Sequence, residues 1–134
     1  AKVNELRRDA PELHERRMRR LCELSDAFSR AFRDGDAAEV VAAAGLYGEA
    51  LHALGQAAGA PIVEARLARA SELAAGFSGS AKPCGAGGGD VAIAFFIDSD
   101  AAKSFELACS GEGLHPVRVA WGPDGVRATV GSES

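Results

Sequence analysis

An α+β fold, with helices packed on a small, mainly antiparallel sheet, is predicted by three features of the sequence. Amphipathic helical patterns fill the first 76 residues, the apolar period changes near residue 79, and a run of branched and aromatic residues then follows a glycine-rich stretch. Of the 134 residues 47% are hydrophobic, but 28 of these are alanine, leaving 35 larger side chains. That suffices for one modest core, so residues 1–134 are expected to form a single domain.

Asp9 can cap a first helix, Pro11 suits its first turn, and Leu13, Leu21, Leu24, Phe28, Ala31 and Phe32 recur at three- and four-residue steps up to Gly35. Asp36 with Glu39 is a capping pair for a second helix. Its inward stripe is Val40, Ala44, Tyr47, Leu51, Leu54 and Ala58, and Gly59 stops it. Pro61 opens a third helical segment, with Ile62, Leu67, Ala70, Leu73 and Ala74 inward and Gly76 at its end. Ser80–Cys84 reads as a short strand and Val91–Ile97 as a buried one, since branched and aromatic residues dominate the second run. Asp98 or Ser99 caps a helix over Asp100–Ser110, with Ala101, Phe105 and Ala108 or Cys109 inward, ended by Gly111 and Gly113. Pro116–Trp121 reads as a third strand, Pro123-Asp124-Gly125 as a turn, and Val126–Val130 as the return of a hairpin.

Charge is uneven. Residues 1–33 carry 9 Lys/Arg against 6 Asp/Glu, and the remainder 6 against 13. The pairs Arg7-Arg8, Arg16-Arg17 and Arg19-Arg20 raise the question of nucleic acid. Glu12, Glu15 and Glu23 are interleaved, however, so that Glu12–Arg16 and Glu15–Arg19 can pair, and no aromatic residue stands there to stack a base. A solvated helix face is expected, with no nucleic-acid partner. No apolar run is long enough to span a membrane. Cys22, Cys84 and Cys109 make neither a CxxC pair nor an even framework, which points to a reducing, cytoplasmic setting. His14, His52 and His115 lack metal spacing with one another or with cysteine, so no metal site is expected.

The unusual stretch is Lys82-Pro83-Cys84-Gly85-Ala86-Gly87-Gly88-Gly89-Asp90. Four glycines in five positions let backbone N–H groups face outward with no Cβ in the way, an arrangement suited to phosphate oxygens. It is not a Walker loop, because no Gly-Lys-Ser/Thr follows. Nor is it a dinucleotide fingerprint, because Asp90 stands where the last glycine belongs and a strand pattern follows. On the residues alone, a tight connection between two strands serves equally well.

Ser80–Asp90, running into Val91-Ala92-Ile93-Ala94, closely resembles the third motif of the GHMP kinases, in the form found in phosphomevalonate kinases. Upstream, Leu51-His52-Ala53-Leu54-Gly55 and Ala58-Gly59-Ala60-Pro61-Ile62-Val63 are similar to that family's approach to the motif, and the downstream pattern also fits. The resemblance implies a ferredoxin-like C-terminal domain of a two-domain, ATP-dependent kinase. It also implies that ATP with Mg2+ and the catalytic Asp belong mainly to an N-terminal domain, whose motifs these 134 residues do not contain; Lys2–Leu6 look like the middle of a helix in such a kinase. The chain alone is therefore expected to be inactive, with no catalytic residue of its own.

The implied phosphate and substrate loop is Lys82, Cys84, Gly85, Ala86, Gly87, Gly88, Gly89 and Asp90. Lys82 is either a cation set against phosphate or a strand-edge lysine. Asp90 either accepts loop N–H bonds or contacts the reacting groups through metal or water. Cys84 departs from the family's usual Ser, and a thiol is the weaker donor. Tyr47 and Trp121 read as core. The function expected is transfer of a phosphoryl group from ATP to phosphomevalonate, in isoprenoid-precursor synthesis. The alternatives are a stand-alone ligand-binding or regulatory module, or a GHMP kinase with another acceptor such as mevalonate.

Overall fold

The computed structural model describes residues 1–85 and 91–117. In chain order these form α1 (Lys2–Asp9), α2 (Pro11–Asp34), α3 (Ala37–Ala58), α4 (Ala65–Gly76), β1 (Ser80–Pro83), β2 (Ala92–Phe95) and α5 (Ser99–Gly111). The class is α+β. The expected third strand, apart from Pro116 and Val117, and the hairpin to Val130 lie outside the described residues.

The first helical stretch is broken in two. Ala10 precedes a proline and is pushed out of the helical region to φ −143°, ψ 69°. Asp9 is therefore the last residue of α1 rather than a cap for α2, and α2 begins at Pro11 with no side-chain cap. Gly35 ends α2 at φ 70°, and the Asp36 N–H donates to the Ala31 carbonyl at 3.0 Å. That bond explains why the Asp36–Glu39 capping pair forms only halfway. The Asp36 carboxylate accepts from the Glu39 N–H at 3.0 Å, but the return bond to the Asp36 N–H has no free donor.

Two apolar clusters hold the elements. Leu6, Leu21, Leu54 and Ile62 form one, joining α1, α2 and α3. Ala74, Ala81, Phe105 and Cys109 form the other, joining α4, β1 and α5. Ile62 explains a second departure from expectation. Its burial against Leu6, Leu21 and Leu54 requires a bend over residues 61–64, so α4 starts at Ala65 and not at Pro61. Phe32, expected inward, is 48% exposed and stacks on Phe28 at 6.0 Å.

β1 and β2 pair antiparallel, with Ser80 opposite Phe95, Ala81 opposite Ala94, Lys82 opposite Ile93 and Pro83 opposite Ala92. The alternation sorts the two faces. Ala81, Ala94 and Phe96 pack towards the α4–α5 cluster, while Phe95 meets Phe28 of α2 edge-on at 5.4 Å. β2 is shorter than the predicted run and half-buried rather than buried: Val91 and Ile97 are 62% and 63% exposed, past the paired rungs. α5 is capped by Asp98, which accepts from the N–H groups of Asp100 and Ala101. Phe105 and Cys109 point inward, as the pattern predicts, and the chain turns at Gly113 (φ 70°), with the Leu114 N–H bonded to the Cys109 carbonyl.

Candidate functional site

In sequence, the glycine-rich segment lies between β1 and β2. β1 is held firmly. Ser80 Oγ donates to the Val41 carbonyl of α3 at 2.6 Å, and Ser71 Oγ of α4 donates to the Ala81 carbonyl at 3.1 Å. Small residues let α3 close on the strand. A Cβ at Gly45 would stand 3.4 Å from Ser80 Cβ, and one at Gly48 would stand 3.1 Å from the Ala81 carbonyl oxygen. The ladder continues one rung past Pro83, where the Cys84 N–H donates to the Val91 carbonyl at 3.0 Å.

Of the sequence-predicted site residues, Lys82, Cys84 and Gly85 are thus gathered at the head of the hairpin. Ala86, Gly87, Gly88, Gly89 and Asp90 lie outside the described residues. Gly85 is exposed with φ 76°, a backbone conformation that favours glycine. Cys84 is half-buried and Pro83 buried. The Lys82 ammonium lies 5.2 Å from the centroid of the Tyr47 ring and 3.4 Å from the Pro83 carbonyl oxygen, to which it donates.

Tyr47 is the neighbour of Lys82 that the sequence does not announce. It packs against the α1–α3 cluster as expected, but its ring also meets Lys82. No local signal announces this contact, because it joins residues on different elements far apart in sequence.

A cleft of about 290 Å³ lies at the end of α3, lined by His52, Gln56, Pro61 and Val63 among others. Another of about 220 Å³ lies between Phe32, Val40, Val41, Phe95 and Phe96. Neither includes Lys82 or Cys84. Burial pushes the Cys109 thiol above its ordinary range, which suits a packing residue rather than a nucleophile. On the outer side, Arg69 bridges α4 to the end of α5 through Glu112 at 2.6 Å and also bonds Glu72 at 3.1 Å. Among the described residues, no group of three His, Cys, Asp or Glu side chains can hold a metal ion.

The basic stretch lies along α1 and α2. Glu15–Arg19 pairs at 2.7 Å and Arg20 reaches Glu23 at 3.7 Å, while Glu12–Arg16 is not among the ion pairs of the described residues. No described helix is long and apolar enough to cross a membrane.

A scan against protein families and a search of curated proteins found no match. Among solved structures, the fold is similar to that of a Lin0012 protein from Listeria innocua, with a TM-score of 0.79 at 22% identity. The likeness covers 84% of this chain and 32% of that one, so this chain spans about a third of that protein's length. At such an identity the likeness establishes the fold alone.

Proposed function

We propose that the chain is the ferredoxin-like C-terminal domain of an ATP-dependent small-molecule kinase of the GHMP type. The protein containing it would move the γ-phosphoryl group of ATP onto the phosphate of phosphomevalonate, giving the diphosphate and ADP, in the cytoplasm and without nucleic acid or membrane. The observation that carries the reading is the sequence of Lys82–Asp90, together with Lys82, Cys84 and Gly85 standing at the head of a pinned hairpin. Phosphoryl transfer needs positioning and charge neutralisation more than covalent chemistry, which is what glycine-rich backbone and a lysine supply. On this reading ATP, its metal and the catalytic base belong chiefly to another domain, as the resemblance of Lys82–Asp90 to the family's third motif implies.

The test is a coupled ADP-release assay on the protein expressed from the complete reading frame, with mevalonate and phosphomevalonate compared. Turnover that depends on phosphomevalonate is expected, from a frame carrying roughly 150–200 further residues, about one more domain. A complete protein that releases no ADP with mevalonate, phosphomevalonate, homoserine or a sugar would sink the kinase reading.

A further inference from the structure

The head of Lys82 is arranged in a way that a strand-edge lysine does not need. Its Cα and Cβ pass close to α3, where a Cβ at Gly48 would stand 3.6 Å from Lys82 Cβ and 3.7 Å from its Cα. The same two elements are tied by Ser80 Oγ on the Val41 carbonyl. The ammonium then rests 5.2 Å from the Tyr47 ring centroid. Among the described residues no carboxylate pairs with it. That choice of partner matters. A carboxylate would cancel the positive charge, whereas the face of a neutral ring orients the cation and leaves its charge for another ligand. A lysine already ordered in this way loses little further freedom when an anion arrives.

We propose that Tyr47 is a positioning residue for Lys82, and that the pair is a preorganised cation site for a phosphate-bearing ligand at the end of β1. The proposal rests on the kinase reading only for the name of that ligand. The pair itself is read from the contact of ring and ammonium, and inorganic pyrophosphate is the probe that tests it without turnover.

The experiment is NMR of lysine Cε and Nζ signals in the complete protein, titrated with pyrophosphate, for the parent and for Tyr47→Phe, Tyr47→Leu and Lys82→Gln. Lys82 signals in the parent and in Tyr47→Phe should carry a ring-current displacement that Tyr47→Leu removes. Pyrophosphate should shift them saturably. Its Kd should rise roughly two- to fivefold in Tyr47→Leu, stay near the parent value in Tyr47→Phe, and be unaffected by Tyr47→Leu when Lys82→Gln is already present.

Equal weakening by Tyr47→Leu in both lysine backgrounds would overturn the proposal. So would parent Lys82 signals that pyrophosphate leaves unmoved, a result that requires no variant to fold. Competition by phosphomevalonate or by ATP then assigns the phosphate to acceptor or nucleotide. Tyrosine-dependent pyrophosphate binding in a protein that turns over no acceptor removes the kinase reading and keeps the pair. Turnover with a Kd indifferent to Tyr47→Leu keeps the kinase and removes the pair.

Discussion

The Cys84 N–H donates to the Val91 carbonyl oxygen at 3.0 Å, so the paired ladder extends one rung beyond Pro83 and Ala92. Below that rung, β1 is tied to α3 and α4 by Ser80 and Ser71. Among the described residues, the hairpin is thus secured by Ser80, Ser71 and the Cys84–Val91 bond.

A first prediction follows from that anchoring. Gly87→Val or Gly88→Val should leave the melting temperature of the complete protein nearly unchanged and cut the proposed kinase activity at least tenfold, because a Cβ bars close backbone approach to a phosphate. Gly85→Ala serves as the contrast. Gly85 has φ 76°, and a Cβ there would meet nothing within 4 Å, so its cost is conformational, about 1 kcal/mol of stability. If melting temperature and activity fell in proportion for the Val variants, the segment would be a structural turn only.

Gly55 sits in a different situation, where space rather than φ decides. A Cβ there would stand 2.8 Å from the Ala60 carbonyl oxygen and 3.2 Å from Ile62 Cβ. The Ala60 oxygen is backbone and already accepts the Ile62 N–H at 2.8 Å, so it has little freedom to yield. Gly55→Ala gains about 1 kcal/mol of helix propensity but forces an overpacking cost of roughly 1–3 kcal/mol. Net destabilisation should show as a lower urea midpoint. Gly76→Ala, whose Cβ would meet nothing within 4 Å, should be neutral or slightly stabilising. The reverse order would contradict the close packing at the end of α3.

The features legible in the sequence are those set by neighbours along the chain. Gly35, Asp36, Gly59 and Asp98 act as the signals that end or cap the helices, because capping is decided within a turn. The change of period near residue 79 likewise marks the passage from helices to the hairpin. What escaped depends on distant partners. The start of α4 is displaced to Ala65 because Ile62 is drawn to Leu6, Leu21 and Leu54. Only the assembled fold brings Tyr47 to Lys82. The break at Ala10–Pro11 is the exception: its cause is local, but Asp9 offers a competing cap that the structure does not use.

Glu112 yields a prediction about pH. The hydrogen bond from Arg69, reinforced by its charge, holds the Glu112 carboxyl below the ordinary 4.5. A carboxyl depressed in the folded state stabilises above its unfolded value, and that contribution is lost as pH falls through the folded value. Glu112→Gln should therefore melt slightly lower than the parent at neutral pH, with the gap closing in the acid range below 4.5. Both side chains are solvent-exposed, so the gap should be small and should shrink in high salt. Thermal melts of the pair across pH and ionic strength provide the check. A gap that widened in acid would show that the bridge from α4 to the end of α5 is not what the substitution removes.

The most discriminating substitutions are at Lys82, Cys84 and Asp90. Lys82→Ala removes a cation whose surroundings are a ring face and a carbonyl, with no carboxylate partner among the described residues. It should weaken binding of the proposed phosphorylated acceptor several-fold while the fold persists, since a lone cation beside phosphate contributes charge complementarity more than packing. Cys84→Ser keeps the side chain small at a half-buried site whose N–H is engaged with Val91. It supplies the hydroxyl usual in the family that the motif resembles, so activity should hold or rise, whereas a nucleophilic cysteine would lose nearly all activity on this change. Asp90→Asn keeps an acceptor for N–H groups and removes one charge, so an intermediate loss is expected. Acceptor KM and kcat for the three variants of the complete protein, measured beside melting curves, separate these roles. A folded but inactive Cys84→Ser protein would make the thiol a reacting group, and unaltered acceptor affinity in Lys82→Ala would return Lys82 to the strand edge.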